Sequence, residues 1–571
     1  MHTRLLTCAA LLLGYTFFTA CSPSAPAETQ LLPGNAQLVL SIDPGFATQK
    51  LSKAGMPLDS LLNKMFQRDS AKPGEKAFLQ KIRTESGINW AAKWHWAVSQ
   101  QTQDSIPLTQ YNVVGSLKDA VQFERLLQSD SLLGKKIQAE KGFKYVYTDK
   151  YSILAWTDQY LLTTAWDYSV KPYYDTVQGR FIIPVKKDLR KQLLAYTGTL
   201  FTQKQSASMA SQKGFAAMFK EPAEGYLYSN SSQYTQLLSS MPLPLPKLEE
   251  LLADNYTTAT LQFETGKILA TVTTHTNPLL SSVFKKHAGP VVALDQIKLP
   301  KGYTIRGFYS ASFDPQLLPS LLKELEVDQL AESFLEKQGL TTNALAQAFK
   351  GQLQVIMADS TGSNKTKIFF ALPTADTAKT RALLLPLVEK GFLVNNNGKW
   401  QSGALLKSLS LHINQNKDVL VLGTDSSWNQ QYLNGQCEAV LPADIQKAFT
   451  GKSTAGWINL NGRLINNTPD SSEWKGRDQI QSLFKDIRIY SENYADKKVT
   501  GHWEITLWDQ QTTSLAKITS LLTDLALNKR QDWRTAALEE QSLRYPLQLS
   551  QKKLPHGWLC PKRSSGSGVI A

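Results

Sequence analysis

The chain has 571 residues, a formal net charge of +14 and 42% apolar residues, of which aromatic side chains make up 10% of the total. That composition excludes a disordered polymer, and the length is enough for about two to four domains. The four cysteines stand at 8, 21, 437 and 560; they are too few and too scattered for a disulfide framework or a thiolate metal site.

The chain opens with a short basic start, Met1-His2-Thr3-Arg4, and an uncharged apolar run from Leu5 to Phe18. The run is about 14 residues, and a membrane-spanning helix needs roughly 20. The order of basic start, apolar run and small residues is that of a secretory signal peptide over 1–20. Phe18-Thr19-Ala20-Cys21 then resembles the bacterial lipobox. By that resemblance Cys21 becomes the mature N-terminus and carries acyl chains, each buried CH₂ adding roughly 0.8 kcal/mol of membrane attachment. Residues 21–29, starting Cys-Ser-Pro-Ser-Ala-Pro-Ala, read as a flexible tether. An exported, lipid-anchored chain leaves no role for nucleic acid. Its basic balance suits anionic headgroups or acidic glycans instead.

Further along, the same blocks recur in the same order. Leu32–Leu51 and Leu299–Leu322 each run Leu-Pro, a Gly turn, an extended apolar segment, Asp-Pro and a helical pattern. Asp43-Pro44 and Asp314-Pro315 suit helix starts, since Asp accepts from free backbone N–H groups and Pro tolerates the first turn. Segments 93–101 and 110–127 match 351–359 and 367–384, with Asp119 and Asp376 257 positions apart. The hairpin patterns at 151–165 and 409–425 correspond, as do the stretches 223–238 and 454–467. The final hairpins at 258–276 and 486–508 are each followed by a helical pattern, at 277–287 and 510–528.

These patterns predict an α+β protein of two tandem similar modules, over 30–290 and 291–528, each a mainly antiparallel sheet with helices on one face. In 499–507 the residues Val499, Gly501, Trp503, Ile505 and Leu507 share one face and Thr500, His502, Glu504 and Thr506 the other. Residues 315–338 read as one amphipathic helix striped with Leu317, Leu318, Leu321, Leu322 and Leu325. The open faces of two separate sheets are expected to flank a groove. Residues 529–571 form a basic C-terminal tail, with eight Lys/Arg against three acidic residues and a helical stretch expected over 533–544.

Phosphate-binding glycine loops, a G-x-S-x-G elbow and an H-E-x-x-H pair are all absent from the sequence. No cofactor or metal is therefore expected. The seven histidines are scattered, and His275 and His502, in corresponding hairpins, read as solvated strand residues. Cys437 and Cys560 read as independent, mostly buried thiols. The densest aromatic patch is 89–101. Its Trp94 and Trp96 sit two apart on one strand face, either as core packing or as a stacking platform for a sugar ring or apolar ligand.

The layout of lipobox, Pro33, Ala36, Asp43 and the helix after Pro44 resembles an uncharacterised family of bacterial envelope lipoproteins, a domain of unknown function. That resemblance implies no catalytic residues. The linker has only Glu28 as an acid, which points to the periplasmic face of the outer membrane. Two functions follow as expectations: a non-enzymatic protein that binds or scaffolds an envelope protein, lipid or glycan, or an envelope-polymer hydrolase using a carboxylate pair between the modules. Metabolic labelling with an alkyne palmitate should tag the wild-type chain and spare Cys21→Ala, which should move to the soluble fraction. An untagged wild-type chain would refute lipidation.

Overall fold

The structure, a computed structural model, describes residues 25–57, 60, 80–103, 106–129, 136–167, 173–175, 178–182, 188–231, 247–337, 339–361, 365–396, 399–460, 480 and 482–524. The signal peptide, Cys21, the first part of the tether, Cys560, the helix expected over 533–544 and the basic tail lie outside the described residues. Among the described residues no helix is long and apolar enough to cross a membrane.

The fold mixes helices with one large antiparallel sheet. Up to residue 275 its strands are β1 (Leu38–Ile42), β2 (Trp94–Gln103), β3 (Ile106–Ser116), β4 (Gln138–Glu140), β5 (Phe143–Tyr147), β6 (Ser152–Trp156), β7 (Tyr160–Asp167), β8 (Gly225–Asn230), β9 (Tyr256–Glu264) and β10 (Lys267–His275). Beyond residue 300 they are β11 (Tyr303–Ser312), β12 (Gln352–Ser360), β13 (Thr366–Pro373), β14 (His412–Gln415), β15 (Val419–Gly423), β16 (Thr454–Asn459), β17 (Phe484–Ser491) and β18 (Lys498–Leu507). All 18 belong to one sheet. Its order, every neighbour antiparallel, is β4-β5-β6-β7-β3-β2-β1-β8-β9-β10-β18-β17-β16-β11-β12-β13-β15-β14.

The expectation of two separate sheets flanking a groove is thereby corrected. β10 and β18 pair from Lys267↔Thr506 to His275↔Lys498. Each would otherwise be an edge with unpaired backbone N–H and C=O groups, and each satisfies the other's. The loops next to this seam reinforce it. Gly266 N–H donates to Thr512 O at 3.0 Å, and Thr276 N–H donates to Lys497 O at 2.9 Å.

The helices used below are α1 (Pro44–Lys53), α2 (Ala120–Gln128), α3 (Arg190–Thr202), α4 (Pro278–Lys286), α5 (Leu317–Glu324), α6 (Asp328–Glu336), α7 (Thr377–Glu389), α8 (Ser426–Leu433) and α9 (Ala443–Phe449). Asp or Asn caps α1, α2, α4, α7 and α8, whereas α5 begins at Leu317 after Gln316 with no side-chain cap, so Asp314-Pro315 stands just ahead of the helix and not at its first turn. Asp43 Oδ1 accepts from Phe46 N–H at 2.9 Å, Asp119 Oδ1 from Val121 and Gln122 at 2.9 Å each, and Asp376 Oδ1 from Lys379 at 3.0 Å. Asn277 caps α4 through Leu280 N–H at 2.8 Å. Such caps satisfy donors that a helix start leaves free.

Helices pack on both faces of the sheet, not on one. On β6, Ile153 and Ala155 join Leu193 of α3, whereas Trp156 joins Phe123 and Leu127 of α2. Successive strand residues point to opposite faces, so α2 and α3 lie on opposite sides. β15 repeats the arrangement: Val421 packs with Trp428 of α8 and Phe449 of α9, and Leu420 with Leu384 of α7. The outer strands are apolar at consecutive positions, which is why both of their faces need cover. The single helix expected over 315–338 is two. The chain breaks after α5, where Glu326 takes a left-handed φ of 56° before α6 begins. Part of the expected tether is also folded: Ala27–Leu31 forms a 3₁₀ turn, and Thr29, Leu31 and Leu32 are buried.

The largest core cluster centres on Trp428, fully buried, with its ring stacked on Phe369 at a centroid distance of 4.9 Å. Trp428→Ala should lower unfolding free energy by about 3–5 kcal/mol, read from denaturant melts. A loss below about 1 kcal/mol would contradict this packing.

Candidate functional site

The alternation of the central strands produces one apolar row running straight across the sheet. Trp94 is opposite Ile42, Ile42 opposite Gly225, Gly225 opposite Leu261, and Leu261 opposite Ala270. The row crosses the seam at Ala270↔Trp503 and continues through Ile489, Gly456, Tyr309 and Val355. At the usual strand spacing it spans roughly 40 Å. Four of its members stand open: Ile42, Leu261, Tyr309 and Trp503 are 36, 37, 41 and 53% exposed, and Leu40 beside them 44%, while Trp94, Ile489 and Val355 are half-buried. Trp503 was expected on a covered face, and only Leu507, at the end of the same face, is fully buried. Glycines make room for the rings. A Cβ at Gly115 would stand 2.8 Å from the Trp94 ring, and one at Gly456 3.2 Å from Tyr309.

Trp94 and Trp96 do share this face. Both are half-buried. Trp94 stacks on the exposed Trp90 at 5.5 Å and packs against the cluster beneath α2; Trp96 lies opposite Leu40 and Val113. The other face of the two seam strands, β10 and β18, is largely polar. There Thr271 Oγ1 is 3.4 Å from His502 Nδ1, Thr273 Oγ1 3.3 Å from Thr500 Oγ1, and Lys267 Nζ 3.0 Å from Glu504 Oε2. Glu504 is the one carboxylate on the two seam strands, and this ion pair occupies it. His275 and His502 are half-buried, less open to solvent than expected. Each stacks on a tyrosine, Tyr256 at 4.4 Å and Tyr490 at 4.9 Å, and burial lowers the pKa of both imidazoles. Cys437 is half-buried, with no disulfide partner among the described residues, and burial pushes its thiol up to about 11.

Two histidine-centred chains of hydrogen bonds had no signature in the sequence. In the first, His95 on β2 and Ser41 on β1 are fully buried. Ser41 Oγ is 2.7 Å from His95 Nδ1, and Glu28 Oε1 is 3.3 Å from His95 Nε2. In the second, His287 follows α4. Its Nδ1 is 2.7 Å from Asp314 Oδ2 and its Nε2 is 2.6 Å from Ser320 Oγ on α5. An ionised carboxylate only accepts, so Nδ1–H donates to Asp314 and Nε2 accepts from the Ser320 hydroxyl. Burial raises the Asp314 pKa, but the bonds from His287 and from Gln316 N–H outweigh it and leave the carboxyl below its usual range. Asp314 thus bonds both to His287 and to Gln316 N–H, ahead of the uncapped start of α5. Among the described residues, no group of three or more His, Cys, Asp or Glu is placed to hold a metal ion.

Comparison with known proteins adds little to this geometry. No protein family and no curated protein matches the chain. One solved structure, described as "Structure of crystal form I of TP0453", is 11% identical over 47% of this chain and 88% of that one. Its TM-score of 0.21 is too low to bear on fold or function.

The first chain of bonds has a pH consequence. Burial raises the Glu28 pKa, yet the hydrogen bond from His95 and the nearby Lys93 charge leave it below the ordinary 4.5. A carboxyl with a depressed folded pKa contributes stability that is present above its unfolded pKa and is lost as pH falls through the folded value. Glu28→Gln should therefore flatten the acid limb of the stability–pH curve below about pH 5. An unchanged acid limb in denaturant melts would contradict the assignment.

Proposed function

We propose that this protein is a membrane-tethered envelope lipoprotein, of the uncharacterised lipoprotein type that its N-terminal layout resembles, and that it holds the acyl part of an amphiphile against the apolar row of its central sheet. The observation that carries this reading is the row itself, with large side chains left exposed from Ile42 to Tyr309. Contiguous exposed apolar surface of that extent marks an interaction site in soluble folds. The row holds no carboxylate or amide side chain, so it lacks the groups that fix sugar hydroxyls. Acyl chains need only apolar area, at about 25 cal/mol per Å² buried. Attachment through Cys21 would keep the row close to a source of such chains.

We also propose that the chain is a tandem duplication over 30–290 and 291–528. The strand order supports this. Read outward from the seam, β10-β9-β8-β1-β2-β3-β7-β6 and β18-β17-β16-β11-β12-β13-β15-β14 follow one plan in chain order. The binding row then consists of two equivalent half-rows meeting at Ala270 and Trp503.

The lipid reading is tested with cis-parinaric acid as the fluorescent probe and the delipidated full chain. Leu261→Asp and Trp503→Asp each put a charge into the row, and each should weaken probe binding at least about tenfold, the effect of 1.4 kcal/mol. Melting should change little, because both positions are exposed. Unaltered probe affinity in both variants would overturn the proposal.

A further inference from the structure

The Asp314–His287–Ser320 chain is built differently from its buried counterpart. Ser41 and His95 have no exposed surface, and the chain from Ser41 through His95 to Glu28 pins the N-terminal turn to β1 and β2. At the second site the imidazole is enclosed, with 6% of its side chain exposed, while the Asp314 side chain is 31% exposed and Ser320 is only half-buried. A buried base held in one tautomer by a carboxylate and bonded to a reachable hydroxyl is the arrangement that activates a serine nucleophile. The parts come from three places in the chain. His287 follows α4 on the first side of the seam, and Asp314 and Ser320 sit on the loop after β11 and on α5.

The segment that carries Asp314 is held by close backbone contacts. A Cβ at Gly289 would stand 2.5 Å from Phe313 Cα, and one at Gly351 1.9 Å from Phe313 O, so both loops press onto the segment that carries Asp314. Gly351 O also accepts from Phe313 N–H at 2.8 Å. Phe313, next to Asp314, is 43% exposed and offers apolar surface at the segment that carries the carboxylate.

We propose that Ser320 is the nucleophile of an esterase site acting on carboxylic esters with an apolar acyl group. Ser320 Oγ attacks the ester carbonyl carbon as its proton passes to His287 Nε2. The carbon–oxygen bond to the alcohol breaks, and the alcohol leaves with that proton. Water then attacks the acyl-Ser320 ester, again losing its proton to His287, and the carboxylic acid departs as Ser320 regains its hydrogen. Asp314 stays ionised throughout and acts as a positioning residue that fixes the imidazole tautomer.

The test uses the full mature chain and an alkyl fluorophosphonate, read by intact mass and peptide mapping. One adduct is expected, on Ser320. Ser320→Ala and His287→Gln should abolish it, while Ser41→Ala should label as the wild type does. Asp314→Asn should lower the saturating labelling rate on the order of a hundredfold with probe affinity unchanged, and Asp314→Glu should restore part of that rate. Thermal melts establish that each variant is folded. A folded wild-type chain with no adduct on Ser320, or a folded His287→Gln chain that labels at the wild-type rate, would overturn the proposal.

Discussion

The backbone ladder between β10 and β18 is the constraint on which the rest of the molecule depends. It runs from Lys267↔Thr506 to His275↔Lys498 and joins strands that are some 230 positions apart in the chain. A sheet that stopped at either strand would expose a row of amide and carbonyl groups, each costly to leave unpaired away from water. With the seam closed, the sheet's ends lie at β4 and β14, and its middle is as continuously bonded as any other part. The loops on both sides of the seam add reciprocal contacts, Gly266 to the 510–512 turn and Thr276 to Lys497 and Tyr494. Helices cross the same divide: Leu51 of α1 packs on Ala516, in the helix after β18.

The seam also determines what the two faces look like. Register transmits side-chain direction from strand to strand, so a slip of one residue at β10–β18 would set the apolar residues of one seam strand beside polar residues of the other. In the observed register Ala270 meets Trp503 and Thr271 meets His502. On these two strands the apolar positions thus fall on one face and the threonines, His502 and the Lys267–Glu504 pair on the other. Towards the flanks the strands become apolar on both faces, and helices cover them from both sides. The exposed apolar row lies between those covered flanks.

Much of this was legible locally. The hairpins, the Asp and Asn caps and the alternation in β18 depend on neighbours within a few residues, and those patterns survive in the fold. What could not be read depends on distant pairings. One amphipathic strand, β18, implied helices on a single face, but the outer strands carry apolar residues at consecutive positions and draw in a second layer. The leucine stripe of 315–338 resembled one helix because its periodicity spans a break at Glu326 that no Gly or Pro announces. His287, Asp314 and Ser320 carried no joint signal, since only the docking of α4 against α5 brings them together. Glu28, read as part of a tether, is held to His95 by a contact 67 positions away.

Amide hydrogen exchange across the seam tests the central claim most directly. A single sheet closed at β10–β18 predicts that amides in the middle of 267–275 and 498–507 exchange as slowly as those of β2 and β3, which pair with each other in the sheet interior. Exchange of both segments at the rate of an unpaired edge strand would mean that the two halves do not form one sheet.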